Sequence, residues 1–168
     1  GRETAERYGT MGRDWRLYYS LIGFYGVVSG RRAGRTGMTG DDLKVFDNFL
    51  WKALQVQPTT RSKIGERPHL YLRIEYKDAE TVLGDLRRFV KATPKTEAIR
   101  DLKDLDLNFD YLADHIKQNL NLISKVYVMT SEELSPVKDL IKDRCAEKFQ
   151  ALPHELSDAQ VEAIVKKA

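Results

Sequence analysis

From Trp15 to Val28 the chain reads Trp-Arg-Leu-Tyr-Tyr-Ser-Leu-Ile-Gly-Phe-Tyr-Gly-Val-Val. Side chains alternate between the two faces of a strand, and here apolar or aromatic residues stand at both odd and even positions. Such a run, rich in aromatics and ending β-branched, predicts a long strand buried on both faces. Gly23 and Gly26 mark a bulge or a close neighbour along it.

The remaining elements are read around that strand. Residues 1–14 are polar and form a lead-in or cut end. Ser29 to Gly40 carries Arg31, Arg32 and Arg35 among four glycines and is expected to be a loop. Thr39 with Asp42 three residues on is a capping-box-like start. The helix that follows is expected to bury Leu43, Phe46, Phe49, Leu50, Ala53 and Leu54, which recur at helical spacing. A polar loop runs from Thr59 to Pro68. His69 to Tyr76 then alternates, with Leu70, Leu72, Ile74 and Tyr76 on one face and His69, Tyr71, Arg73 and Glu75 on the other. Thr81–Val90 reads as a short helix and Ala92–Lys95 as a turn. Leu105, Leu107 and Phe109 form a short strand, and Asp110 caps a helix reaching about Leu122. Ile123–Met129 is a strand again. Ser135-Pro136 opens a helix whose stripe is Val137, Leu140, Ile141, Cys145 and Phe149. Ser157 begins a last short helix.

Strand–helix–strand twice, then two helices, is an α+β order. It predicts a ferredoxin-like, RNA-recognition-like sheet (βαβ–βαβ) over residues 15–130, with two C-terminal helices over 131–168. Right-handed crossovers would put both helices on one face of a four-stranded sheet. The open face would suit single-stranded RNA.

Composition narrows the classes. The chain has 168 residues, 42% hydrophobic and 32% charged, which is the balance of a folded domain. No apolar run approaches the roughly 20 residues of a membrane helix, so no membrane partner is expected. Cys145 is the only cysteine. That excludes an intramolecular disulfide and zinc sites built on paired cysteines, and it fits a cytoplasmic location. The start, Gly1-Arg2-Glu3-Thr4, lacks an initiator methionine and a secretory leader, which points to a fragment of a longer protein. Charge is uneven: residues 1–73 hold 13 basic against 7 acidic side chains, and nine of the eleven glycines lie within the first 40 residues. A basic, glycine-rich front suits close approach to an anionic polymer.

Catalytic patterns are missing. His69, His115 and His154 have no ligand spacing, and no metal or cofactor is expected. Asp104-x-Asp106-x-Asn108-x-Asp110 starts like a calcium loop, but Phe109 and His115 occupy the positions that need glycine and glutamate. The glycines match no phosphate-loop or dinucleotide fingerprint, and no serine sits in a nucleophile elbow. Cys145 falls on an apolar helix face and reads as structural. Ile22–Val28 is faintly like the aromatic strand of RNA-recognition modules. The loop Thr59–Pro68 is the better candidate: Arg61, Ser62, Lys63 and Arg67 combine charged and hydroxyl donors with a glycine, as phosphate binding requires.

Three blocks, in order and at similar spacing, carry a resemblance. They are Trp15–Val28, then Thr36-Gly-Met-Thr-Gly-Asp-Asp-Leu43 running into Phe46-Asp-Asn-Phe-Leu-Trp51, then Thr60-Arg-Ser-Lys-Ile-Gly-Glu-Arg-Pro-His-Leu-Tyr-Leu-Arg-Ile-Glu-Tyr76. Together they resemble the crRNA-coating backbone subunit of type I-B CRISPR surveillance complexes, over about residues 10–130. Members of that family are longer, and the resemblance places this chain at their C-terminal portion. It implies a non-enzymatic scaffold that holds guide-RNA backbone for pairing with target DNA. Its partners would be guide RNA, target DNA through the RNA, further copies of itself and other subunits of the complex. Under that reading Arg61, Ser62, Lys63 and Arg67 hold phosphates, Arg31, Arg32 and Arg35 assist, and Tyr71 and Arg73 are further contacts. Two other readings stand beside it. One is an RNA-processing endonuclease of the same superfamily using His69 or His115 as base. The other is a protein-interaction domain whose basic front faces an acidic partner.

Overall fold

Residues 17–56 and 65–153 are described by a computed structural model of the chain. Their elements in order are α1 (Gly30–Thr36), α2 (Gly40–Val56), β1 (Leu70–Tyr76), β2 (Lys91–Pro94), β3 (Leu105–Asn108), α3 (Asp110–Gln118), β4 (Ile123–Thr130), α4 (Ser135–Cys145) and β5 (Phe149–Ala151). The class is α+β. One sheet has the order β1-β4-β5, with β1 antiparallel and β5 parallel to β4, and a second sheet pairs β2 with β3.

The core forms where the apolar periodicities meet. Strand β4 is central and brings Ile123, Val126 and Val128 inside; α3 adds Leu112 and Ile116, and α4 adds Val137, Ile141 and Cys145. Leu70, Leu72, Ile74 and Tyr76, the apolar face expected of β1, pack against this cluster. Proline in the first turn of α4 starts that helix. Ala146, at a φ of 47°, ends it, and the chain turns into β5. Burial pushes the Cys145 thiol up to about 11, against a weaker opposite pull from Lys148, which keeps it a packed neutral group.

Several expectations are corrected. Leu17–Val28 has no regular secondary structure, and Tyr18 and Phe24 are 88% and 85% exposed. A strand exists only with a partner backbone, and among the described residues none bonds to this segment. Arg31–Arg35, expected in a loop, lie on α1, which starts with Ala33 N–H on Ser29 C=O and ends at left-handed Gly37. Ala92–Pro94 is strand instead of turn, paired from Lys91↔Asn108 to Pro94↔Leu105; Pro94 sits at its end, where the missing N–H is tolerated. Thr81–Val90 contains only a 3-10 turn, Leu86–Phe89, capped by Asp85. Helix α3 stops at Gln118, and Phe149 belongs to β5 instead of the α4 stripe. Among the described residues the sheet containing β1 has three strands where four were expected, and α2 lies across the face of β1 expected to be open. The helix from Ser157 lies outside the described residues.

The buried face of α2 is rotated from the expected one: Leu43 and Leu50 stay partly buried, but the phenylalanines do not. The capping box forms as read: Thr39 N–H and Oγ1 donate to Asp42 Oδ2 at 2.6 and 2.7 Å, and Asp42 N–H returns a bond to Thr39 Oγ1 at 3.4 Å. Yet Phe46 and Phe49 are 45% and 50% exposed, while Asp47 and Asn48 are buried. Ile141→Ala should lower the unfolding free energy by about 2–5 kcal/mol, because it empties a fully enclosed site. Phe46→Ser should change it by less than about 1 kcal/mol. Urea unfolding of both variants checks the assignment, and the reverse order would put the apolar stripe of α2 inside.

Candidate functional site

The polar face of β1 and the buried side of α2 meet at one carboxylate. Asp47 Oδ1 accepts from the Tyr71 hydroxyl at 2.6 Å and from Arg73 Nε at 2.8 Å, and Oδ2 accepts from Arg73 Nη2 at 2.7 Å. Asp47 is 0% exposed and the Arg73 side chain 15%. The guanidinium lies 4.0 Å from the centre of the Tyr127 ring, on β4, and 3.7 Å from Glu75, whose carboxylate accepts from the Tyr127 hydroxyl. Residues 71 and 73 share a face by strand alternation, so a single α2 carboxylate can reach both.

The electrostatics follow from burial. Tyr71 is pushed well above its ordinary 10.0, first by desolvation and then by its hydrogen bond to Asp47. Desolvation alone would lower Arg73; the bonds and charge of Asp47, with Tyr71 and Tyr127, more than offset it and raise the guanidinium. The arrangement is a charged clasp holding a helix to a sheet, and its donors are already engaged by Asp47.

The candidate RNA-binding residues divide accordingly. Tyr71 and Arg73 are in the clasp. Arg31 pairs with Glu80, just past the end of β1. Arg32 and Arg35, on the same short helix, are exposed and have no acidic partner among the described residues. Arg67 is exposed just before β1 starts. Arg31 and Arg67 therefore flank opposite ends of a seven-residue strand, about 23 Å long at the usual rise. Arg61, Ser62 and Lys63 lie outside the described residues.

Of the histidines offered as bases, His69 is engaged by side chains, whereas His115 has a buried Nε2 with no hydrogen-bond partner among the described residues. His69 Nδ1 is 3.2 Å from Ser131 Oγ and 3.1 Å from Glu133. His115 stacks on Phe89 at 3.9 Å. Among the described residues no group of three or more His, Cys, Asp or Glu is placed to hold a metal, and no helix is long and apolar enough to cross a membrane.

Asp47 is the residue that sequence reasoning missed. Its signal was present: Leu43, Asp47 and Leu50 follow helical spacing as well as the phenylalanines do, and an acid on that face complements the polar alternation of β1.

A family model described as CRISPR-associated protein Cas7 matches residues 1–110, which include α1, α2, the clasp and β1. The chain belongs to the Cas7 family. A CRISPR-associated protein Cas7 from Haloferax volcanii is 29% identical over 117 residues, covering 69% of this chain and 34% of the relative. The chain thus spans about a third of the length of that Cas7 relative.

Two tests address the clasp. Asp47→Ala should cost about 3–5 kcal/mol of stability, since it strands a largely buried guanidinium. Asp47→Leu with Arg73→Met should recover most of that loss, and a double-mutant cycle in urea reads the coupling. Stability should also fall as pH rises above 10: unfolded Tyr71 ionises near its ordinary value, whereas the folded phenol, raised by burial and Asp47, holds its proton. Tyr71→Phe should flatten that alkaline fall, measured by thermal unfolding between pH 9 and 12.

Proposed function

We propose that this Cas7-family chain acts in the guide-RNA-binding scaffold of a type I-B CRISPR antiviral complex, in the cytoplasm. It holds RNA backbone for pairing with target DNA, beside further copies of itself and other subunits. Its sheet is part of a ferredoxin-like, RNA-recognition-like fold, and it is not an enzyme. The observation that carries this reading is that the Cas7 match covers the basic front, in which Arg32, Arg35 and Arg67 are exposed without an acidic partner among the described residues. Free cations of this kind neutralise phosphates, and such contacts fix position without reading sequence. Arg61, Ser62 and Lys63, close to Arg67 in sequence, are proposed as further phosphate contacts. Tyr71 and Arg73 support it from beneath, through the clasp, instead of touching RNA. Arg31, paired with Glu80, is a weaker contact than its neighbours on α1.

Salt dependence tests this directly. Arg61→Ala with Lys63→Ala, and separately Arg32→Ala with Arg35→Ala, should weaken binding of guide-length RNA uniformly across sequences. Each lost phosphate contact should flatten the slope of log affinity against log salt by about 0.7. Filter binding over a salt series reads both. Sequence-selective loss at an unchanged slope overturns the phosphate assignment. Cleavage products from repeat RNA, with chelator present, would replace the scaffold by a nuclease.

A further inference from the structure

A cavity of about 410 Å³ lies where the 3-10 turn, β2 and α3 come together, and Arg88, Phe89, Val90, Lys91 and Tyr111 line it. None of these residues belongs to the clasp or to the basic front. The volume falls within the roughly 300–1,000 Å³ of sites that take small molecules. Its lining has two chemistries. Arg88, in the turn, and Lys91, at the start of β2, are cationic. Phe89 and Tyr111 are aromatic.

The two cations are available. Asp85, the acid nearest Arg88 in sequence, is taken by Arg87, whose Nη2 and Nε donate to it at 2.7 and 2.9 Å. Across the ladder from Lys91 stands Asn108, whose side-chain amide donates to Asp110 at 3.1 Å and accepts from the Asp110 N–H at 3.0 Å. Arg88 and Lys91 are themselves exposed and have no acidic partner among the described residues. A phosphate bound between them would displace water, not an existing ion pair. The rings are set in advance. Phe89 stacks on His115, with 3.9 Å between centroids and 15° between planes. Tyr111 stands one helix turn before His115, on the same face of α3. It is 65% exposed, so a large ring surface is left in water beside the cavity.

We propose that this cavity is a nucleotide subsite, taking one unstacked nucleotide with its base on Tyr111 and Phe89 and its phosphate on Arg88 and Lys91. The lining selects that ligand class. A simple anion or a sugar phosphate would leave the rings in water, and an apolar ligand would leave the cations unused. A nucleotide answers both, because it carries a planar π face and a phosphate on one small molecule. Every base has such a face, so the subsite takes a nucleotide without choosing among sequences. A duplex is excluded, since its bases are stacked on one another and not free to enter. A free nucleotide and one residue of a single strand present the same chemistry. The proposal deepens the RNA-binding reading and rests on it only for a strand as the source. It adds base stacking, on elements away from the basic front, to contacts so far assigned to phosphates alone.

The test is an NMR titration of the 168-residue chain, its aromatic rings isotope-labelled, with uridine 5′-monophosphate, with ribose 5-phosphate and with a five-residue oligouridylate. Uridine monophosphate should shift the Phe89 and Tyr111 ring resonances and bind about tenfold more tightly than ribose 5-phosphate, which lacks the base. Tyr111→Leu should erase that difference, and Tyr111→Phe should keep it. Arg88→Gln with Lys91→Gln should weaken both phosphates about tenfold. All three positions are exposed, so the variants should fold, and thermal unfolding checks that they do. Oligouridylate moving the same rings at lower concentration assigns the subsite to a single strand. Movement with the mononucleotide alone assigns it to free nucleotides, and either result upholds the site. Equal affinity for uridine monophosphate and ribose 5-phosphate, an unchanged Tyr111→Leu variant, or unmoved rings overturns it. Arg32→Ala with Arg35→Ala should leave mononucleotide affinity unchanged, so failure of this subsite and failure of the phosphate contacts on the front are read separately.

Discussion

A carboxylate withdrawn completely from water needs a compensating charge and hydrogen bonds where it sits, and Asp47 takes its charge partner, Arg73, and a hydroxyl donor, Tyr71, from the neighbouring strand. That requirement sets the rotation of α2. To bring Asp47 to the Tyr71–Arg73 pair, the helix turns Leu43, Asn48 and Leu50 inward and leaves Phe46, Phe49 and Leu54 half exposed. Hydrophobic burial alone would turn the helix further, to bring Phe46 and Phe49 inward as well. The buried ion pair wins because Arg73 is also buried against Tyr127, so a guanidinium without Asp47 would cost more than the exposed phenylalanines do.

The described residues hold together by two different kinds of interaction. From Leu102 to Leu152, apolar side chains of β4, α3 and α4 enclose one another, and β4 is covered by strands at both edges. From Leu17 to Gln55, the only buried side chains among those described are Asp47 and Asn48, and the segment is held by ion pairs, a capping box and arginines resting on tyrosine rings. Ion pairs and cation–π contacts at exposed positions each contribute about 1 kcal/mol or less. The C-terminal half therefore supplies the rigidity, and the half that carries most of the Cas7 match is mounted on it through β1 and the clasp.

Legibility in the sequence follows the same division. The strands at 70–76, 105–108 and 123–130 and the helix begun by Ser135-Pro136 could be read because each buries its face against a neighbour inside the chain. Local pattern and tertiary environment agree there. Leu17–Val28 has the composition of a buried strand but lacks the partner that would make it one. Alternation reports what a segment needs, not whether it is supplied. On α2 two faces shared helical spacing, and the choice between them rested on Arg73, more than twenty residues away. No local pattern encodes that separation. Ala92–Lys95 reads as a turn in the sequence, yet the pairing of Ala92–Pro94 with Leu105–Leu107 outweighs the donor that Pro94 lacks.

The same reasoning changes what a basic front means. Counting charges treats every arginine as available to a polyanion, but this fold places an acid against several of them. Arg73 is spent on Asp47, Arg87 on Asp85, and Arg31 on Glu80. An arginine already paired gains little from a phosphate, because the new bond replaces an old one and strands the acid. Within residues 1–73, the described arginines that the fold leaves without an acidic partner are Arg32, Arg35 and Arg67, and they lie outside the clasp. The division is physically coherent with the scaffold role proposed above. Under that proposal buried cations fix the position of the surface, exposed ones meet the polymer, and because a phosphate contact carries no sequence information, neither set has to recognise a base.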